Sequence, residues 1–214
     1  MSVYAVVPVK NPSEGKSRLS RLLTPEARRR LTILMFEDVV TALKRAELLT
    51  GVIVVSPSPI VLNLGKRLDC RIVEEEPGGV GLNKALELAV EFAADLGAEA
   101  VLMVPADIPL LEPEDVNSMI LAGLTLEKPY VIASPSRNGG TNALMFSLPT
   151  PIAFRFGIGS FRLHVSEALE AGSTLLIYQS DRISLDLDGE EDVKLFLSKE
   201  ACRKSWRYLK SILG

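Results

Sequence analysis

What most limits the fold of this chain is a regular alternation between short β-branched runs and segments of helical spacing. Residues 3–9, 52–55, 71–73 and 100–104 are compact runs rich in Val, Ile, Leu and Ala, closed by proline or polar residues. Between the first two, Leu31, Leu34, Met35, Asp38, Val39, Ala42 and Leu43 keep one mainly apolar face at helical period. That helix has a start signal in Thr24-Pro25-Glu26, which reads as cap, first-turn proline and first-turn acid. Helices are expected over residues 60–68, 83–96, 113–124, 160–171 and 199–213, and strands over 130–133, 143–146, 174–178 and 183–187. Asp188 with Glu191 three residues later predicts the cap of one more helix. Buried strands separated by helices imply a mainly parallel sheet covered on both faces, a three-layer α/β/α fold. No repeat, low-complexity run or linker divides the chain, so residues 1–214 read as one domain.

Composition narrows the partners. Lys plus Arg is 24 against 27 for Asp plus Glu, a net charge of −3, which excludes the broad basic field that nucleic acid requires. No run of about 18 apolar residues is present to span a membrane. Lys10 follows the first apolar run instead of preceding it, the reverse of a secretory leader. Cys70 and Cys202 lie far apart, without metal or disulfide spacing, as expected in a reducing cytoplasm.

In parallel sheets ligands gather beyond the carboxyl ends of the strands, so the polar loops there carry the functional reading. Gly15-Lys16-Ser17 looks like the end of a phosphate loop, but Lys10 stands where its first glycine belongs and the clear helix start comes eight residues after Ser17. G-x-G-x-x-G is missing as well. Lys10, Lys16 and Arg18 still place three cations past the first strand, enough to meet a triphosphate, though a solvated loop would look the same. Residues 76–83 bring three glycines to the start of a helix, and such a loop can lie against a base with the Asn83 amide reading its edge. The plainer role for Asn83 is a helix cap, and the acidic run 74–76 reads as a solvated edge.

Asp107 is more specific. It ends an apolar strand in Pro105-Ala106-Asp107-Ile108-Pro109, where two prolines stiffen the turn. A carboxylate there is well placed to hold Mg2+ beside phosphates, with turn stabilisation as its plainer use. Asp186 and Asp188, two apart on an extended segment, share a face and repel unless a cation bridges them. Because Asp188 has the competing cap role, Asp186 reads as the safer metal ligand. Gly140-Thr141-Asn142 and Gly157-Ile158-Gly159-Ser160 are glycine-rich and hydroxyl-bearing, and the second enters a helix whose N–H groups suit a phosphate. His164, one turn into that helix, gives no reason to be placed in the chemistry.

With these loops in place the chain resembles the 2-phospho-L-lactate guanylyltransferase family of deazaflavin coenzyme F-420 biosynthesis. The matching residues are Pro8-Val9-Lys10, Lys16-Ser17-Arg18-Leu19, Gly81-Leu82-Asn83, Pro105-Ala106-Asp107-Ile108-Pro109, Gly140-Thr141-Asn142, Phe156-Gly157-Ile158-Gly159-Ser160-Phe161 and Leu185-Asp186-Leu187-Asp188. They keep their order over nearly the whole chain. The resemblance implies a nucleotidyltransferase fold of the nucleotide-diphospho-sugar transferase type, and a reaction joining GMP from GTP to 2-phospho-L-lactate with release of pyrophosphate. It implies Mg2+ on Asp107, Asp186 and Asp188. Lys10, Lys16 and Arg18 then meet the triphosphate, Gly81 and Asn83 the base, and Thr141, Asn142, Gly157 and Ser160 the phosphorylated three-carbon acid. Asp107, Lys16 and Arg18 are the expected catalytic residues. One departure is that Asn11-Pro12-Ser13-Glu14 replaces the glycine-rich first loop of generic nucleotidyltransferases.

Two other readings stay open from the residues. One is a nucleotidyltransferase for phosphoenolpyruvate, 3-phosphoglycerate or a sugar phosphate, and the other is a non-catalytic nucleotide-binding module. A homodimer is expected, although the C-terminal helix with Trp206 and Tyr208 would serve equally to cap the core.

Overall fold

A computed structural model describes residues 1–76 and 78–214. The described residues form one seven-stranded sheet in the order β3-β2-β1-β4-β6-β5-β7. The strands are β1 (Val3–Pro8), β2 (Gly51–Ser56), β3 (Arg71–Glu74), β4 (Ala100–Met103), β5 (Tyr130–Pro135), β6 (Thr141–Ser147) and β7 (Thr174–Ile177). Every adjacent pair is parallel except those made by β6, which runs antiparallel to β4 and to β5. The reversal matters for the site. It brings the first residues of β6, Thr141 and Asn142, to the same edge as the carboxyl ends of the parallel strands.

Side chains two apart on a strand face one side, and the sheet uses this to build two cores. Val3, Ala5 and Val7 with Val52, Val54 and Leu102 pack beneath α1 (Pro25–Arg45), α2 (Pro59–Arg67) and α4 (Pro113–Thr125). Val6, Ile53, Val55, Val101 and Met103 pack on the other face beneath α3 (Leu82–Asp95) and α5 (Ser160–Glu170). The expected three-layer α/β arrangement is the observed one. Thr24 caps α1 as read from the sequence, its hydroxyl accepting from Ala27 N–H at 3.2 Å.

Three local expectations are corrected. Residues 183–187 do not form a strand: a short turn of helix, α6 (Asp181–Ser184), is followed by extended chain. Arg182 anchors that turn with two bonds to the buried Asp115 at 2.7 and 2.9 Å, and the chain then crosses over the strand ends instead of adding to the sheet. The period-2 pattern survives, with Leu185 and Leu187 buried, because extended backbone alternates whether or not it is paired.

The cap of α7 (Glu190–Ser198) is also different. Gly189 occupies the cap position, and Asp192 accepts from the N–H groups of Gly189 at 2.8 Å and Asp188 at 3.1 Å. Glu191 instead pairs with Lys194 in solvent, which leaves the Asp188 carboxylate free for the site.

The last helix, α8 (Lys204–Leu213), starts five residues later than expected because its cap comes from across the molecule. Asp38 of α1 accepts from Lys204 N–H and Ser205 N–H, both at 2.9 Å, and from the Ser205 hydroxyl at 2.6 Å. Trp206 and Tyr208 pack against a third apolar cluster that includes Leu31, Met35 and Phe196. Among the described residues no helix is long and apolar enough to cross a membrane.

Candidate active site

A two-lobed cleft opens at the carboxyl ends of β1 and β4. One lobe, about 680 Å³, is bordered by Lys10, Gly15, Lys16, Glu75, Gly79 and Gly81. The other, about 580 Å³, is bordered by Arg18, Thr141, Asn142, Gly157, Ser160 and Asp186. Asp107 and Asp188 belong to both lobes and so mark the boundary between them.

Asp107 stands at this boundary because β4 ends at Met103 and the proline-bracketed turn carries the chain straight out of the sheet. Leu187 N–H donates to Asp107 C=O at 3.0 Å, tying the segment that bears Asp186 and Asp188 to the same turn. The Lys16 ammonium lies between the two boundary carboxylates, 2.5 Å from Asp107 Oδ2 and 2.7 Å from Asp188 Oδ1. Its backbone is left-handed, with φ 59°, a conformation that costs a non-glycine residue about 1–2 kcal/mol. The two ion pairs offset that strain at a place where the loop has to turn sharply. Burial alone would push the Lys16 pKa down, but Asp107 and Asp188 hold it above the ordinary lysine value. Arg18 is mostly exposed and reaches Asp188 only at 3.9 Å.

The two late aspartates differ. Asp186 is pushed above the ordinary carboxyl range by burial and by the negative charges of Asp107 and Asp188, against an opposing hydrogen bond from Asn142 Nδ2 at 3.1 Å. Burial acts on Asp188 in the same direction, but Lys16 and Arg18 overcome it and hold that carboxyl below the usual range. Asp188 thus sits against two cations and Asp186 against two carboxylates. The expected three-aspartate ligand set is not assembled: among the described residues no three His, Cys, Asp or Glu groups converge on one point. The donor chemistry nonetheless suits a hard divalent cation, since Asp107 and Asp188 already share one positive charge. Mg2+ commonly takes only one or two carboxylates, with phosphate oxygens and water completing its shell.

The second lobe is a buried hydrogen-bonded network. Ser160 donates to Thr141 Oγ1 at 3.1 Å, and Thr141 Oγ1 lies 2.9 Å from His164 Nδ1. Arg155 N–H donates to His164 Nε2 at 3.0 Å. Gly157 (φ 146°) and Gly159 (φ 68°) hold conformations that a side chain would strain, and both line the lobe. Asn142 is fixed by Ile183 C=O at 2.9 Å as well as by Asp186. Burial lowers the His164 pKa to about 4, so the ring is neutral at physiological pH.

In the first lobe Gly79 and Gly81 are left-handed. Glu75, expected in a solvated edge, is 9% exposed and accepts from Val80 N–H at 3.3 Å. Asn83 is neither the cap of α3, which is Gly81, nor a lining residue of the cleft. Its Oδ1 accepts from Phe156 N–H at 2.9 Å and so ties α3 to the loop that leads to Gly157. Lys10 and Arg18 are exposed at the two sides of the cleft. The structure thus brings together all the residues singled out in the sequence except Asn83, and it adds His164 and Glu75. The available signal for His164 was its spacing from Ser160, because residues four apart share one helix face.

A sequence profile described as "Guanylyl transferase CofC like" matches residues 3–213. The chain belongs to this CofC-like guanylyltransferase family. Like its relatives, it is a nucleotidyltransferase of the guanylyl class. It is 43% identical to the phosphoenolpyruvate guanylyltransferase of Rubrobacter xylanophilus, over 90% of this chain and 92% of that one. It is 36% identical to the 2-phospho-L-lactate guanylyltransferase of Methanothermobacter thermautotrophicus, over 90% and 83% of the two chains. Among solved structures, a nucleotidyl transferase from the same archaeon superposes with a TM-score of 0.67 at 18% identity, covering 98% of this chain and 99% of that one. That likeness speaks for the fold alone.

Proposed function

We propose that this CofC-like protein transfers GMP from GTP to 2-phospho-L-lactate, releasing pyrophosphate. The observation that carries this is the pair Asp107 and Asp188, held by Lys16 at the boundary of a two-lobed cleft. The lobe with Lys10, Gly79 and Gly81 takes the nucleotide, and the lobe with Thr141, Gly157 and Ser160 takes the phospho-acid. Glu75 supports guanine over adenine. Guanine presents N–H donors on its pairing edge to a carboxylate, whereas adenine presents a ring nitrogen acceptor there.

The acceptor's phosphate has a second pKa near ~6, so it arrives largely dianionic and needs no general base. One of its oxygens forms a bond to the α-phosphorus of GTP as the bond from that phosphorus to the bridging oxygen breaks. Pyrophosphate leaves with the electron pair, and no proton has to move. The barrier is the approach of two anions in line, which positioning and fixed positive charge lower. Thr141, Asn142, Ser160 and Gly157 orient the acceptor, and Lys10 and Lys16, with Arg18 from the other side of the boundary, face the charge that develops on pyrophosphate. Asp107 and Asp188, with Asp186 alongside, would hold a divalent cation, Mg2+ by donor type, which would supply charge neutralisation to the phosphate oxygens.

A second reading has its own support. The Rubrobacter relative at 43% identity carries a phosphoenolpyruvate name, and that acid differs from phospholactate only in oxidation state at C2 and C3. Incubation with GTP, Mg2+ and each acid, followed by pyrophosphate release, tests both. Phospholactate turnover supports the first reading, turnover of phosphoenolpyruvate alone replaces it with the second, and no turnover with any phospho-acid removes both.

A further inference from the structure

The chain has a single histidine, and the mechanism above gives it no task. Yet His164 is fully buried and uses both ring nitrogens inside the acceptor lobe. The backbone fixes its tautomer. Arg155 N–H can only donate, so Nε2 must present its lone pair to it at 3.0 Å. A neutral ring then carries its proton on Nδ1, which donates to Thr141 Oγ1 at 2.9 Å. Ser160 donates to the same oxygen at 3.1 Å. With two hydrogen bonds coming in, the Thr141 hydroxyl keeps one proton to give, and Thr141 borders the lobe.

The other nitrogen has a second effect. By holding Arg155 N–H, Nε2 pins the segment that leads to Gly157, already clamped where Asn83 accepts from Phe156 N–H and Glu167 pairs with Arg155 at 2.7 Å. The Phe156 ring packs edge-on against the imidazole at 4.6 Å. One side chain therefore bonds two different elements: the Thr141 hydroxyl at the start of β6 and the backbone of the segment that leads to Gly157.

We propose that His164, as the neutral Nδ1–H tautomer, is the positioning residue of the acceptor subsite, orienting the Thr141 hydroxyl as a donor to the phospho-acid. This rests on the assignment of that lobe to the acceptor. His164 does not touch substrate, and it exchanges no proton during turnover.

Two conservative variants separate its nitrogens. In His164→Asn the side-chain amide can stand where Nδ1 stood and keep a donor on Thr141. In His164→Gln the amide reaches the Nε2 position, keeps the contact to Arg155 N–H and abandons Thr141. Pyrophosphate release is measured with GTP and acceptor varied separately, on variants whose thermal unfolding shows a folded state. H164Q should raise the acceptor KM by ~10–100-fold, the loss of one buried hydrogen bond to a charged ligand, with the GTP KM unchanged. H164N, which keeps the donor on Thr141 and frees only Arg155 N–H, should raise it clearly less than H164Q does.

An acceptor KM in H164Q equal to that of H164N overturns the proposal, as does a parallel rise in both KM values. Nitrogen-15 NMR of the wild-type imidazole gives a readout independent of activity, and a lone histidine needs no assignment. A proton on Nδ1 and a lone pair on Nε2 at neutral pH are expected, and an Nε2–H tautomer or a cationic ring overturns the proposal. Wild-type inactivity with every phospho-acid counts instead against the proposed function. Normal wild-type turnover with an unaffected H164Q counts against His164 alone.

Discussion

On the side of the cleft assigned to the acceptor, the polar groups are buried and already paired with one another. Ser160 is 1% exposed, Thr141 6% and His164 0%. On the nucleotide side, Lys10 stands in solvent, and Gly78 and Gly81 leave open space where side chains would be. The difference matches the proposed ligands. A three-carbon phospho-acid offers few atoms to grip, so its donors have to be set before it arrives. A nucleoside triphosphate brings several charges and a flat base, and exposed cations beside a glycine-rich loop suit it. Lys16 stands at the boundary, buried like the first group and charged like the second.

Asp107→Asn should break this arrangement most severely. Losing one boundary charge should lower kcat on the order of 10³-fold, through several kcal/mol of lost charge stabilisation. Unchanged pyrophosphate release would separate the chemistry from the boundary altogether. Lys16→Met should lower kcat by about 10²-fold, in the range of removing one positioned donor. It should also make stability more responsive to magnesium, because Asp107 and Asp188 then face each other without a cation. The check is thermal unfolding with and without Mg2+, compared with wild type.

Thr141→Val sharpens the contrast between the lobes. The acceptor KM should rise roughly 10-fold or more for a lost hydrogen bond to an anion, while the GTP KM holds. A matching rise for GTP would mean that the lobes are not separate subsites.

A smaller effect concerns pH. The His164 pKa falls from 6.5 to about 4 on folding, through burial. Between those values the unfolded chain binds a proton that the folded chain does not, so stability should fall as pH drops from 6.5 towards 4. Denaturant titrations across that window should show the slope in wild type and a flatter one in His164→Asn. Asp38→Ala serves as the control far from both lobes. Removing the cap of α8 should cost about 1–3 kcal/mol, or a few degrees of Tm at ~2–4 °C per kcal/mol, with both KM values unchanged.

How much could be read beforehand differs between elements. The strand and helix alternation was legible because burial of a parallel sheet on both faces writes itself as continuous apolar runs. Asp107 was legible because two prolines and an apolar strand fix its surroundings locally. Only the cap at Asp188 was misplaced, because Asp-x-x-Glu is a cap pattern and the fold alone shows Asp192 taking that cap and Lys16 arriving from 172 residues away. Asn83 was misread for a similar reason: a polar residue at a helix start has local work to do, and its partner Phe156 lies 73 residues further along.

The sequence by itself determined the three-layer α/β class, the loops that would meet at the strand ends and the residue types in them. Periodicity and turn chemistry are local properties that a chain carries wherever it goes. Tertiary structure decided the reversal of β6, the distant cap on α8, the sharing of Lys16 between two aspartates and the burial of a lone histidine behind Thr141. Each of these depends on which distant group fills a hydrogen-bonding or charge vacancy, and that is settled only when the layers close.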